Sequence, residues 1–448
     1  MTFATAAADT TFGQLLACLA LIGAVAKLAG LVARRFGQPG VVGEILAGIA
    51  LGPSVLGLFG HDLPGRLFPA AVLPDLRLVA ELGLVLFMFC VGMELDPQQL
   101  RASGRRAAVI SLTSIAIPFA LGLGVLAPVV YRAHDHVGDV PVRFAPFALF
   151  LGVSMCGTAF AVLARVLADH GLLGTRLGAL LMSCAAIDDI VAFTLLGLVV
   201  AVASAGSTTG VFVVLAELAA LAAVLRGIVR PLLARTITRR YELDGHAQPE
   251  ALAVLVLGAL ATAFVTQRIG LHPMMGAFVF GTSVPLDGRR RLAHDLHQRL
   301  EGVSVQLLMP VFFVVTGLGV DISGLRAADI GPALLVLVVA CVGKFVGGSG
   351  AAVLVGVPRR EALAIGTLMN TRGLAELVIL NVGRSIGILD DRMYTILVVM
   401  AIVTTVMAGP LLRVVYPERL LAAQRSEAST SGAETAAASA SNSLAMVS

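Results

Sequence analysis

Charged residues, aromatic anchors and lysine are all scarce in this chain. Only 13% of its 448 residues are Asp, Glu, Lys or Arg, about half the share of a soluble domain, which excludes a soluble globular fold. There is no Trp and there are only four Tyr, so the aromatic belt that often marks membrane helix ends is faint. Lysine stands only at Lys27 and Lys344, and every other fixed positive side chain is an arginine.

Cysteine motifs and nucleotide-binding motifs are missing as well. The five cysteines lie inside apolar segments, with no CxxC spacing and no nearby His, which argues against disulfides and metal clusters. No GxGxxG follows a strand-like run, so we expect no nucleotide-binding domain. We expect no cofactor and no nucleic-acid partner, because arginines that set membrane topology account for the net charge of +4.

Long apolar runs are what the sequence does contain. Runs long enough to cross roughly 30 Å of hydrocarbon recur along nearly the whole chain. They predict an all-α polytopic membrane protein with about 13 transmembrane helices in one domain, residues 1–416. The predicted spans are 13–35, 40–59, 75–95, 106–131, 144–168, 174–203, 209–234, 249–267, 272–286, 302–320, 331–356, 361–383 and 393–416.

The loop arginines indicate an orientation. Assigning loops to alternate sides concentrates most arginines on one side, which the positive-inside rule makes cytoplasmic. The N-terminus is then outside and the C-terminus inside. The Ser/Ala-rich tract 417–448 is expected to be a disordered cytoplasmic tail. The lack of an organelle signal and the Arg- and Ala-rich composition favour a bacterial plasma (inner) membrane.

Three charged side chains stand near the middle of predicted spans. Asp188 and Asp189 are adjacent in the sixth span, and Lys344 is in the eleventh. Ionised side chains cost about 2.5 to 3.5 kcal/mol at the bilayer centre, so they usually face a partner or an aqueous cavity. Neighbours on a helix point about 100° apart, so we expect different roles. One carboxylate can pair with Lys344, while the other carries a proton and competes for a small cation.

The aspartates allow two other interpretations. They could be structural, satisfied by hydroxyls and backbone. Intramembrane aspartyl proteolysis would need two carboxylates on different spans sharing a proton, whereas Asp188 and Asp189 are neighbours. The protein is therefore not expected to be an enzyme.

Two spans contain residues that interrupt helices. The segments 153–169 and 366–383 place Gly, Thr or Asn in mid-membrane, and interrupted spans in corresponding positions of two halves are typical of transporter sites. Arg372 lies at the second interruption, four residues before Glu376, within ion-pair reach on a helix. A structural pair is the favoured role for these two. The histidines in loops, including His134 and His136, are expected to be solvated.

These residues resemble monovalent cation/proton antiporters of the second cation/proton antiporter family, in particular the branch of plant and fungal cation/proton exchangers and their bacterial relatives. The resemblance covers residues 10–416. It is carried by GQPGVVGEILAGIALGPSVLG, ELGLVLFMFCVGMELD, TAFAVLARVLADHGLLGTRLGALLMSCAAIDDIVAF, GAFVFGTSVP and MNTRGLAELVILN.

The resemblance implies inverted repeats with crossed, unwound helices, the sodium/proton antiporter-like fold. Core helices at about 106–203 and 331–416 would move as an elevator against a dimerisation scaffold. Asp189 would bind the proton and the metal ion (Na⁺ or K⁺), Asp188 would pair with Lys344, and Thr158 would also serve the ion site. The unwound crossing would comprise Gly157, Asn370, Thr371, Arg372, Gly373 and Glu376.

The chain departs from many plant relatives in this family. They have Asn where it has Asp188 and Pro where it has Ala161, and they carry a long hydrophilic tail. Asp188 with Lys344 looks more like the electrogenic members.

The functional hypothesis is alternating-access exchange of Na⁺ or K⁺ for protons by a homodimer in contact with membrane lipids. A sodium-coupled organic-solute symporter of related fold and a cation channel are the alternatives, and fold similarity alone does not choose among them.

Overall fold

The structure is a computed structural model. It describes residues 2–59, 63–94, 104–172, 175–204, 208–235, 249–269, 271–285, 299 and 307–416. The predicted tail, 417–448, lies outside the described residues.

The described chain is almost entirely helical, as the apolar runs predict. Its main helices are α1 (Thr2–Arg35), α2 (Gly40–Leu51), α3 (Leu73–Glu94), α4 (Gly104–Leu121), α5 (Phe144–Ser154), α6 (Phe160–Asp169), α7 (Arg176–Ser204), α8 (Thr208–Val224), α9 (Pro249–Arg268), α10 (Pro273–Ser283), α11 (Met309–Leu318), α12 (Ile330–Leu354), α13 (Arg359–Leu368), α14 (Leu374–Ser385) and α15 (Asp391–Val415). Short helical segments are Leu56–Phe59, Leu63–Leu67, Gly122–Leu126, Ala127–Val130, Tyr131–Ala133, Leu225–Val229, Arg230–Leu233 and Ala327–Asp329. Strand β1 (His136–Val137) pairs antiparallel with β2 (Val140–Pro141).

Eight of the described helices are long and apolar enough to cross a membrane, and α5 and α11 are shorter apolar helices. All thirteen predicted spans overlap a helix, but the number that cross the membrane stays a prediction. The ninth span contains a shorter helix than expected, Pro273–Ser283, and the start of the tenth span lies outside the described residues. The first begins earlier, at Thr2 rather than residue 13, because the alanine-rich segment before it favours helix.

The predicted interruptions are present in the fifth and twelfth spans. Helix α5 ends at Ser154 and α6 begins at Phe160, while α13 ends at Leu368 and α14 begins at Leu374. The intervening segments, 155–159 and 369–373, leave the helical path in the middle of otherwise buried, apolar stretches. Irregular backbone at such depth needs partners inside the protein.

Helix α12 approaches α4 closely, and this positions Lys344. A Cβ on Gly347 would lie 2.9 Å from the carbonyl oxygen of Thr113 and 3.0 Å from the Cα of Ser114. Any larger residue would push the two helices apart, as is common where small residues bring membrane helices together. The glycine therefore lets α12 pack against α4 at the level where the lysine on α12 reaches Asp188 on α7.

Candidate functional site

The two helix interruptions cross each other and satisfy each other's backbone. The amide of Ala159 donates a hydrogen bond to the carbonyl of Thr371, with an N to O distance of 2.9 Å. The hydroxyl of Thr158 lies 2.8 Å from the carbonyl of Met369. These contacts replace helical hydrogen bonds that the breaks remove, so two unwound segments are tolerated inside an apolar core.

A carboxylate and an ammonium meet beside this crossing. Lys344 Nζ lies 2.9 Å from Asp188 Oδ2, and both side chains are fully buried. The same ammonium donates to the hydroxyl of Thr158 at 2.7 Å, and that hydroxyl lies 2.7 Å from Asp188 Oδ2. The structure thus brings the predicted Asp188, Lys344 and Thr158 into one contact set.

Two serines on α4 complete the surroundings of Asp188. The Ser111 hydroxyl donates to Asp188 Oδ1. The Ser114 hydroxyl lies 3.4 Å from Asp188 Oδ2 and 3.1 Å from the carbonyl of Ser111. Sequence reasoning missed both residues. The signal was present in ISLTS of the fourth predicted span, where two hydroxyls stand three residues apart and so share a helix face.

Asp189 follows Asp188 on α7 and is also buried. Its residue is 7% exposed, whereas Asp188 is 0% exposed. Because adjacent helical residues diverge by about 100°, the two carboxylates leave α7 in different directions; that they have separate roles stays a prediction.

A second buried ion pair joins Arg372 to Glu376 within one stretch of chain. Arg372 Nη1 lies 2.9 Å from Glu376 Oε2. The guanidinium also donates to the carbonyls of Ser154 at 2.7 Å and Met155 at 2.8 Å. It therefore caps the carboxyl end of α5, where the helix leaves unpaired carbonyls and a partial negative charge.

Gly157 lies against this pair. A Cβ there would be 2.5 Å from Glu376 Oε2, so a side chain at position 157 would displace the carboxylate. Gly157 is thus required for the close approach of the first interruption to α14.

The remaining predicted residues lie in the second interruption. Asn370 donates through Nδ2 to Cys341 Sγ at 3.4 Å, and the Thr371 hydroxyl donates to the carbonyl of Leu368 at 2.8 Å. Gly373 precedes the first residue of α14. Thr405 on α15 was not anticipated: it accepts from the Arg372 amide at 3.0 Å and donates to the Arg372 carbonyl at 2.5 Å.

One expectation about the histidines is wrong. His134 is 1% exposed, and its Nδ1 lies 2.9 and 2.8 Å from the two carboxyl oxygens of Asp390. Asp390 also caps the start of α15 by accepting from the amide of Met393. His136, in contrast, is exposed and contacts its neighbour Asp135, as expected of a solvated loop.

Comparison with known proteins decides the family. The profile described as the transmembrane sodium/hydrogen exchanger family matches residues 21–416. The chain belongs to this family. It is therefore a member of a family of membrane transporters rather than of enzymes, as its sequence predicts.

Relatives of this exchanger-family chain are named as cation/proton antiporters. It is 38% identical over 404 residues to the Na⁺/H⁺ antiporter NhaS4 of Synechocystis, and the alignment covers 90% of this chain and 97% of the relative. It is 38% identical to cation/H⁺ antiporter 20 of Arabidopsis thaliana and 33% identical to K⁺/H⁺ antiporter 1 of Saccharomyces cerevisiae. It spans about half the length of these two relatives, 49% and 48%.

The fold matches that of a solved transporter. The sodium proton antiporter MjNhaP1 of Methanocaldococcus jannaschii, in its structure at pH 8, superposes with a TM-score of 0.65 at 17% sequence identity. The match covers 93% of this chain and 99% of the other. The predicted antiporter-like fold class is confirmed, and the symporter alternative finds no support among these proteins.

Proposed function

We propose that this protein exchanges a monovalent cation, Na⁺ or K⁺, for protons, and that Asp189 is the carboxylate at which they compete. The single observation that carries the proposal is the buried crossing with its cluster of ionisable side chains, set in a fold and family of cation/proton antiporters. The names of the relatives support the two substrates. They differ in the metal ion they name, so the proposal keeps both Na⁺ and K⁺.

The balance of charge around the crossing supports a monovalent ion. Asp188, Asp189 and Glu376 are buried there with Lys344 and Arg372. With all five ionised, three negative charges face two positive ones, so one proton or one monovalent cation would bring the cluster to neutrality. Since uncompensated buried charge is costly, occupancy by one or the other is favoured over an empty site.

Competition for one carboxylate is sufficient for exchange. When Asp189 is ionised it offers hard oxygen ligands to a small cation, and when protonated it cannot. If the site opens to one side of the membrane at a time, a cation carried one way is followed by a proton carried the other way. In this proposal the core helices at about 106–203 and 331–416 move against the remaining scaffold helices of a homodimer.

Thr158 and the pair of Asp188 with Lys344 support Asp189 in this scheme. Thr158 hydrogen-bonds both members of the pair, so a movement of one residue alters the hydrogen bonding of the other. Separation of Asp188 from Lys344 would let the lysine release a proton, which would make the exchange sensitive to membrane potential.

The membrane orientation is part of the proposal. The positive-inside bias supports an outside N-terminus and a cytoplasmic C-terminus in a plasma (inner) membrane. A C-terminal fluorescent reporter that folds only in the cytoplasm checks this orientation. A fusion protein that is present in the membrane but does not fluoresce would contradict it.

The decisive experiment uses purified protein in liposomes that contain a pH dye. An acid interior is imposed, and external Na⁺, K⁺ or Li⁺ is added. We expect cation-dependent alkalinisation, lost in Asp189→Asn. Asp75→Asn, in the first turn of α3, is the matched control and should behave as wild type.

Two outcomes would overturn the proposal. Folded wild-type protein that moves no protons with any of the three cations is not an exchanger. Wild-type rates in Asp189→Asn would exclude Asp189 as the shared site.

A further inference from the structure

Buried polar contacts join α11 to α14 and α15, near the point where α14 ends and α15 begins. Asn381 on α14 donates through Nδ2 to Thr316 Oγ1 on α11, with an N to O distance of 3.0 Å. The hydroxyl of Tyr394 on α15 lies 3.2 Å from the carbonyl oxygen of the same threonine and 3.3 Å from Asn381 Oδ1. Thr316 and Tyr394 are at most 2% exposed. Side chains of two helices thus converge on one residue of α11.

The segment that follows α11 extends these contacts. Arg384 Nη1 lies 3.4 Å from the carbonyl oxygen of Gly319, and the Thr395 hydroxyl accepts from the amide of Asp321 at 3.2 Å. The Arg384 guanidinium also lies over the ring of Tyr394, 4.8 Å from its centroid. Each contact with α11 or the segment after it uses a side chain of α14 or α15, so these contacts can be made and broken without unfolding a helix. We refer to them together as the α11 contact set.

Helix α11 is fixed to α2 at the level of the backbone. A Cβ on Gly48 of α2 would overlap the carbonyl oxygen of Val314, and a Cβ on Gly317 of α11 would overlap the carbonyl oxygen of Ile45. Small residues bring membrane helices together in this way, and such close packing leaves little freedom for one helix to shift against the other. Helices α2 and α11 therefore move together, and both are scaffold helices in the scheme proposed above.

Helix α14 is fixed in the same manner to α5, which is a core helix in that scheme. A Cβ on Gly383 of α14 would overlap the ring of Phe150 on α5. At the other end of α14, Arg372 holds the carbonyls of Ser154 and Met155 at the end of α5. The α11 contact set thus lies between two closely packed groups of helices, and it is made of side-chain contacts that can separate.

We propose that the α11 contact set is a latch between the core and scaffold helices, which closes one face of the protein and opens when the site is exposed to that face. This inference rests on the function proposed above. Asn381 follows Gly373 by eight residues, about 12 Å of α-helix, so the latch lies between the second interruption and the end of α14. In the proposed orientation this end faces the outside.

A small cavity behind the latch offers positions for a reporter. It lies between α2 and the second interruption, and its lining includes Ile45, Gly373, Leu377 and Ala401. Leu377 is 1% exposed and Ala401 is 4% exposed, so a thiol at either position is shielded while the latch is closed. Separation of α14 and α15 from α11 would let water and a thiol reagent reach the cavity.

The test measures how fast a thiol in this cavity reacts. Ala401→Cys is introduced into wild type and into each latch variant, and the purified proteins are placed in lipid nanodiscs, where a polar maleimide reaches both faces of the membrane. The labelling rate is corrected with the same protein lacking the reporter. Because both faces are accessible, the result does not depend on the proposed orientation.

Two variants each remove one contact while keeping the shape of the side chain. Thr316→Val removes the oxygen that accepts from Asn381, and Tyr394→Phe removes the hydroxyl at the Thr316 carbonyl. We expect labelling to be roughly fivefold faster in each variant, because the loss of one net hydrogen bond shifts an equilibrium by about that factor. The double variant should be labelled faster than either single variant.

Three further variants make the result specific. Thr316→Ser keeps the hydroxyl and should be labelled at the wild-type rate. Thr404→Val removes a buried hydroxyl of α15 whose described hydrogen bonds go to its own helix, at the carbonyls of Met400 and Ala401, and it should also leave the rate unchanged. Leu377→Cys is a second reporter, which should rank the variants in the same order and serves if Ala401→Cys does not fold.

A crosslink tests the same contact by preventing its separation. A short bifunctional thiol reagent joins Thr316→Cys to Asn381→Cys, and exchange is compared before and after crosslinking in the same liposomes. We expect the crosslink to abolish exchange, because the core and scaffold helices can no longer separate at this face. The matched pair His134→Cys with Asp390→Cys replaces a contact of 2.8 Å within the core helices, and its crosslink should leave exchange unchanged.

Unchanged labelling in folded Thr316→Val and Tyr394→Phe would overturn the proposal. So would an equal rise in Thr316→Ser, which would attribute the effect to packing, or full exchange in the crosslinked Thr316→Cys/Asn381→Cys protein. If wild type shows no exchange but the labelling rates rise as expected, the proposed function fails while the latch between the two groups of helices stands.

Discussion

The ion pair between Arg372 and Glu376 predicts a measurable loss of stability when its charges are removed one at a time. Both side chains are at most 1% exposed, and breaking such a pair typically destabilises a protein by about 3 to 5 kcal/mol. Glu376→Gln keeps an oxygen that can accept from the guanidinium, which also retains the carbonyls of Ser154 and Met155. We therefore expect a loss near the lower end, about 3 kcal/mol.

Variants of Arg372 separate the ion pair from the capping of α5. Arg372→Met leaves Glu376 without its counter-ion and removes the donors to two buried carbonyls, each costing about 1 to 3 kcal/mol when unsatisfied. We expect a loss of about 5 kcal/mol or more. The double variant Arg372→Met/Glu376→Leu buries no charge but still leaves the carbonyls of Ser154 and Met155 without their donor. It should lose about 2 kcal/mol or more, whereas a pair acting through charge alone would lose little.

The cysteines provide the assay. Tryptophan fluorescence is impossible because the chain has no Trp, but Cys18, Cys90, Cys156 and Cys184 are buried, so a thiol-reactive dye reports unfolding. We expect Arg372→Met to have the lowest melting temperature and the exposed control Arg268→Met to have that of wild type. A double variant that melts at or above wild type would refute the capping, and an unchanged Glu376→Gln would refute the pair.

Two further perturbations follow from single contacts. Gly157→Ala should displace the Glu376 carboxylate and lower both the melting temperature and the exchange rate. In the control Gly350→Ala the added carbon has nothing within 4 Å, so exchange should be unchanged, and equal rates in the two variants would contradict the close approach. His134→Ala removes the buried partner of Asp390 and should destabilise the protein by about 1 to 3 kcal/mol in the thiol-dye assay, and a melt identical to wild type would show that this contact contributes nothing.

The helices were largely predictable because the apolar runs are long and the intervening segments polar. The two interruptions were also predictable, since Gly, Thr and Asn in mid-membrane have little reason to be there unless the backbone departs from a helix. Helix ends were less accurate. The ninth span was expected over 272–286 but its helix is Pro273–Ser283, because apolar composition marks what can lie in a membrane and does not mark where the helix ends.

The candidate site was predictable where it depends on rare charges. Asp188, Lys344, Arg372 and Glu376 stood out because ionisable residues in apolar spans demand partners. Ser111 did not stand out, since hydroxyls in helices usually bond their own backbone, as Ser183 does. Whether a hydroxyl reaches another helix depends on how closely the helices approach, and sequence alone does not specify this.

The buried location of His134 was missed for a related reason. Its partner, Asp390, is 256 positions away in the chain, and the segment containing His134 reads as a polar loop. Burial there depends on where α15 begins relative to the end of α4. That relation is a property of the assembled helices and leaves no local pattern in the sequence.

The two buried ion pairs differ in a way that bears on transport. Arg372 and Glu376 are four residues apart on a single stretch of chain, so the pair travels with α14 and can persist through any rigid movement of that helix. Asp188 and Lys344 are 156 positions apart, on α7 and α12, so a shift of one helix against the other separates them. Of the two pairs, the one between helices is therefore the one that a shift of a single helix can break, while the local pair keeps the crossing intact.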